Sequence, residues 1–171
     1  MKSILPFFLI FAGLNMQAQQ SSYLSEIVVK WDNARKYTLE IAEAMPDSNY
    51  NFSPVKEEMS FAHQLAHLGE NMMWLSSTYL SKSKPPFDKI KYDSVTKKEI
   101  IEQLKATFDF ASTQLKNLTP EKLEEKVDFF AGKMIKRQIV NLMNDHLTHH
   151  NAQCIVYLRL KGLKPLQYIG W

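Results

Sequence analysis

Three of the chain's five histidines fall within five positions, in the stretch "NDHLTHHNAQ" at residues 144–153. A cluster of imidazoles can bind a divalent metal, sense pH, or sit hydrogen-bonded in a core, and spacing discriminates among these. Ile139, Met143, His146, His150, Gln153, Tyr157 and Leu160 follow one another in alternating steps of four and three. At about 100° per residue such positions share one narrow helical face, the face that packs inward. His146 and His150 are therefore one turn apart near the centre of that stripe, while His149 lies about 60° from His146, toward its edge.

Two imidazoles on a core face are costly without partners, because each carries a buried donor and acceptor. A divalent metal satisfies both, and the spacing suits chelation by one helix. The plainer alternative is a pair of core histidines bonded to neighbours such as Tyr157 or Asn144. A second pair at the same spacing, His63 and His67 in "HQLAHL", favours metal. Three histidines with an open position would make a catalytic site, and four would close it.

Several familiar metal chemistries are excluded. A zinc protease needs H-E-x-x-H, but Gln64 and Leu147 stand where the glutamate belongs. Di-iron bundles need Glu-x-x-His, and the residues three before the histidines are Ser60, Gln64, Met143, His146 and Leu147. What remains is a histidine-rich mononuclear site with no evident carboxylate base.

The elements that must position these residues are helical. Leu24, Ile27, Val28, Trp31, Ala34, Thr38, Ile41 and Met45 predict a helix over about 21–45. Phe61, Leu65, Leu68, Met72, Leu75 and Tyr79 predict a second over about 60–80, with Ser60 as N-cap. Ile101, Leu104, Phe108, Ala111, Leu115 and Leu118 predict a third over about 94–118. The histidine-bearing helix runs over about 134–162, closed at Gly162 with Pro165 beyond. Prolines 46, 54, 85, 86, 120 and 165 all fall outside these stretches, as helix interiors require. No period-two strand is evident. The expected fold is all-α, a four-helix bundle with connections of roughly a dozen residues, long enough for crossovers.

The opening "MKSILPFFLIFAGLNMQAQQ" carries Lys2, an apolar run from Ile4 to Leu14, then small and polar residues. That is the pattern of an export signal over residues 1–18, cleaved after Ala18, with a periplasmic or secreted product. The run is too short for a stable anchor, so no membrane insertion is expected after its removal. Removing 18 of the 171 residues leaves 153, one domain over 19–171. Lys2 leaves too, so the 21 basic residues become 20 against 18 acids. That balance gives no basic stripe, and no nucleic-acid partner is expected. Cys154 is the single cysteine, so an exported domain would rest on its core, a metal or a partner. Cys154 itself reads as a small buried filler rather than a fourth ligand or nucleophile. Met72, Met73 and Trp74 read as core rather than pocket lining.

Three segments resemble the DinB family, within the wider group of DinB and YfiT-like metalloenzymes, and the resemblance covers most of the chain after residue 18. "NFSPVKEEMSFAHQLAHLGE" resembles the family's second-helix region through Phe52, Pro54, Ser60, His67 and Leu68. "LTPEKLEEKVDF" resembles its loop before the last helix, and "HLTHHNAQCIVYLRLKGLKP" its last-helix signature. The resemblance implies a helical bundle with crossover connections and a divalent metal, zinc or nickel, held by His67, His146 and His150. It leaves out His63, where members often carry another polar residue, and His149, commonly not a ligand. Gln153 matches a family glutamine with a packing or ligand-supporting role. Homodimers are common in the group. Met59 stands where a tryptophan is frequent, and Asn151-Ala152 replace a frequent Arg-Gly, departures that bear on substrate contacts.

Two function classes follow. One is a metal-dependent enzyme with a small-molecule substrate, a thiol-dependent transferase or a hydrolase. The other is a non-catalytic exported bundle that binds a metal or ligand. Thiol cofactors are mainly cytoplasmic, which sits awkwardly with export.

Overall fold

The structure, a computed structural model, describes residues 5–93 and 95–171, with side chains from Tyr23 onward. Of the export signal expected over residues 1–18, residues 1–4 lie outside the described residues, and the backbone of 5–18 falls in the first helix. Helix α1 spans Leu5–Ala44, α2 Phe61–Leu75, α3 Lys97–Lys116, the short α4 Pro120–Leu123 and α5 Lys136–Leu160. Among the described residues no helix is long and apolar enough to cross a membrane.

The apolar stripes face one core. Ile27, Trp31, Ile41 and Met45 of the first helical stretch are buried, with Thr38. They meet Phe61, Leu65, Leu68, Met72 and Leu75 of α2 and Leu104, Phe108, Ala111 and Leu115 of α3. Trp31 packs on Phe108 with ring centroids 5.7 Å apart. Each helix has local reasons to start or stop. Ser60 Oγ accepts from the His63 amide at 3.2 Å, the expected N-cap of α2. Thr96 and Glu99 form a reciprocal capping box at α3. At the end of α5, Gly162 has φ +72°. Its amide reaches the Arg159 carbonyl and the Leu163 amide reaches that of Leu158, both at 2.9 Å. This paired closure needs a left-handed residue, which glycine adopts without a Cβ clash.

Helix α1 packs on α3 and α5, and α2 packs on the same two, so the order around the bundle is α1, α3, α2, α5. The connections α1 to α2 and α3 to α5 therefore cross the bundle's diagonal. Helices α2 and α3 are neighbours in space, but residues 82–96 separate them and return along α2. Ile90 of that strap sits over Gly69, where a Cβ would strike the Ile90 side chain. The Ile90 amide donates to Glu70 Oε1 at 3.1 Å. Gln103 of α3 clamps Lys91 by donating to its carbonyl at 3.2 Å and accepting from its amide at 3.0 Å. The crossover topology is thus held by specific contacts.

Three features depart from the expected elements. A two-stranded antiparallel hairpin, β1 Lys126–Phe129 and β2 Gly132–Ile135, precedes α5, which starts at Lys136 rather than at 134. Four-residue strands are too short for period two to stand out, and their pairing is a contact no single segment encodes. The second helix does not stay α-helical to residue 80. Its last turn, Ser76–Ser81, is π-helical, and Lys82 ends it with φ +55°. Ser76 Oγ donates to the Met72 carbonyl at 2.5 Å, and its bond back into the preceding turn accompanies the widening. Leu160, expected on the inward stripe, is 57 % exposed because it lies in the last turn of α5, beyond the core.

Candidate metal centre

Helix α2 carries His67 and α5 carries His146 and His150, and the packing of these two helices brings the three together. One ring nitrogen from each lies within 4.8 Å of the others. Ring centroids are 4.4 Å apart for His146–His150, 4.6 Å for His67–His150 and 5.0 Å for His67–His146. Among the described residues, no other group of three or more histidine, cysteine or acidic side chains meets at comparable range. His150 is buried and the other two are half-buried.

Electrostatics prepare these rings for coordination. Burial, reinforced by the neighbouring imidazoles, pushes His146 down to about 4 and His150 down to about 3. Burial also lowers His67, with help from His63. Ligation requires the neutral ring, which these shifts favour at neutral pH. His146 Nδ1 is buried without a hydrogen-bond partner. A cation coordinated by that nitrogen would supply the missing partner, so the donor set fits a metal.

The remaining candidates separate cleanly. His63 stacks flat on Tyr92 of the strap, with centroids 4.0 Å apart and planes 5° from parallel, and stays outside the cluster. We expect His63→Ala to keep zinc affinity within a few-fold of the parent, measured by competition with a chelating dye. A large loss would instead indicate a closed four-histidine site. His149 is exposed, its ring edge-on to His150 at 4.9 Å. Cys154 lies fully in the core, where burial pushes its thiol up, so it is neither ligand nor nucleophile but filler. Met72 and Met73 are core, as expected. Trp74 departs from that expectation: it is 40 % exposed and packs with Tyr79, Phe129 and Phe130 beside the hairpin. Gln153 is half-buried.

In the sequence Gln64 stands only where an H-E-x-x-H glutamate would be. It is 3 % exposed, and its Oε1 lies 2.5 Å from His150 Nδ1. The partner of His150 is thus Gln64, with Tyr157 bonded behind it and Asn144 uninvolved.

A cavity of about 890 Å³ lies elsewhere. It opens between the π-helical turn, the end of α3 and the hairpin, and none of the three histidines lines it.

Known proteins share this fold. The model for the DinB superfamily matches residues 30–154. The uncharacterized protein YjoA of Bacillus subtilis strain 168 is 23 % identical over 147 residues, 84 % of this chain and 94 % of that one. The crystal structure of the B. subtilis DinB-like protein superposes with a TM-score of 0.70 at 24 % identity, covering 84 % of this chain and 96 % of the other. A DinB-like protein from Bacillus cereus ATCC 10987 also gives 0.70, at 16 % identity, covering 84 % and 95 %.

Proposed function

The chain belongs to the DinB superfamily, and on that premise we propose that it is a divalent-metal-dependent enzyme acting on a small molecule, its metal held by His67, His146 and His150. The observation that carries this is the cluster itself: three imidazoles from two helices, their nitrogens within 4.8 Å, two of the three residues half-buried. Three ligands leave a coordination position for a reactant, which a closed structural site lacks. Imidazole donors suit zinc and nickel. When bound, such an ion supplies Lewis acidity, which lowers the pKa of a water or a thiol.

The chain's own groups narrow the reaction. Glu70, one turn beyond His67, is engaged on the Ile90 amide. No carboxylate joins the cluster among the described residues. Proton removal therefore does not fall to a glutamate as in H-E-x-x-H enzymes. His149 is exposed and touches His150 edge-on, a position from which it can pass protons between the site and solvent. Transfer to or from a low-molecular-weight thiol, which the family resemblance implies, and hydrolysis of a small ester or amide are the reaction classes we assign to the site.

The test compares zinc- or nickel-loaded protein with chelated protein, first with thiol-dependent transfer substrates and then with small esters and amides. Turnover that vanishes on chelation and returns with metal is expected. If chelation lowered only the melting temperature and no substrate turned over, the metal would be structural and the non-catalytic reading would replace this one.

A further inference from the structure

Behind His150 runs a buried chain of polar groups with a defined direction. Tyr157 Oη donates to the Met59 carbonyl at 2.9 Å. Gln64 Nε2 donates to Tyr157 Oη at 3.3 Å. Gln64 Oε1 faces His150 Nδ1 at 2.5 Å. Tyr157 and Gln64 are 1 % and 3 % exposed, so water does not substitute for these partners.

The direction follows from donor and acceptor counting. A backbone carbonyl only accepts, so the tyrosine proton is committed to Met59. The hydroxyl then offers lone pairs to Gln64, whose amide nitrogen must be the end that meets it. That leaves Oε1 toward His150, and an amide oxygen only accepts. His150 Nδ1 must therefore carry the proton. Its neutral ring holds one proton, so Nε2 keeps its lone pair. The opposite amide orientation would set Oε1 against a hydroxyl with no proton to give, a buried mismatch.

We propose that Gln64 and Tyr157 are positioning residues that hold His150 in the Nδ1–H tautomer, with Nε2 presented to the cluster as its ligand atom. The ligand half of this proposal rests on the metal reading above; the tautomer half does not. The residue in the place of a protease's glutamate is thus turned away from chemistry and works through the histidine behind it. Partners of this kind fix ring orientation and raise ligand basicity.

Two measurements test it. In the metal-free full chain, nitrogen-15 NMR of His150 is expected to show a protonated Nδ1 and a bare Nε2. In zinc competition titrations, Gln64→Leu is expected to weaken binding about 10–100-fold. Tyr157→Phe should also weaken it and mix the two His150 tautomers, because the amide loses the partner that orients it. Gln64→Glu keeps an acceptor on Nδ1 and should bind zinc at least as tightly as the parent. An Nε2–H tautomer in the parent protein overturns the proposal. So does a folded Gln64→Leu that binds zinc within about 3-fold of the parent, well inside the loss expected for such a partner. If Gln64→Leu does not fold, Tyr157→Phe decides by the same criteria. A parent chain with the expected tautomer but no zinc binding would sink the metal reading and leave the tautomer assignment standing.

Discussion

His146→Ala and His150→Ala should each lose zinc by more than about 100-fold, beyond the 10–100-fold typical of removing a ligand's supporting partner. Each variant takes away one of three nitrogens that meet within 4.8 Å. Two ligands bind a divalent ion far less tightly than three, and nothing else among the described residues is placed to replace the third. His150→Ala should be the more damaging, because it also strands Gln64 Oε1 in a buried position. Melting measurements give a second readout. With zinc at 100 times its dissociation constant, binding should stabilise the parent fold by about 2.7 kcal/mol, and the variants should gain little or nothing. Metal content by elemental analysis decides the matter. If both variants kept full occupancy, the cluster would not be the site.

Zinc affinity should fall much less between pH 8 and about 5 than at an exposed three-histidine site, whose rings titrate near their ordinary value of about 6.5. The sign follows from burial, which holds His146 at about 4 and His150 at about 3. Protons compete with metal only where they bind the free ligand, and these rings bind them late. Below about pH 4 the loss should steepen toward tenfold per unit for each ring being protonated. The metal-free fold should behave differently. Its unfolded chain takes up protons on these histidines from about 6.5 downward, while the folded rings do not. Stability contributed by the neutral rings is therefore fully present above pH 6.5. It falls as pH drops from about 6.5 through the values of His146, about 4, and His150, about 3. Parallel zinc titrations and melting curves from pH 4 to 8 check both statements. A zinc affinity that fell about a hundredfold or more between pH 7 and 5.5 would show that more than one ring titrates normally and is not held neutral by the fold.

Much of this architecture was legible one helix at a time. Repeats such as Phe61, Leu65, Leu68, Met72 and Leu75 announce a buried stripe because helical periodicity is a property of the segment alone. The same holds for the pairs His63/His67 and His146/His150, for Ser60 at the start of α2 and for Gly162 after α5. Local geometry sets each of these, and the DinB-like signature in the last helix named the fold they build.

Tertiary structure decided the rest. His63 and His67 differ by only about 40° around α2; the family resemblance singles out His67, and the tertiary structure shows the packing behind it, with Tyr92 of the strap stacked on His63 and His67 against His146 and His150 of α5. The strap's path depends on the crossover order of helices, which no helix encodes by itself. The hairpin at 126–135 was illegible for the same reason, since its strands are defined by each other. Gln64 carried no sign of its direction. Its role depends on a hydroxyl 93 residues away on α5 and on the carbonyl of Met59. Helix formation is local and readable from spacing, whereas which side chains meet across helices is set by packing.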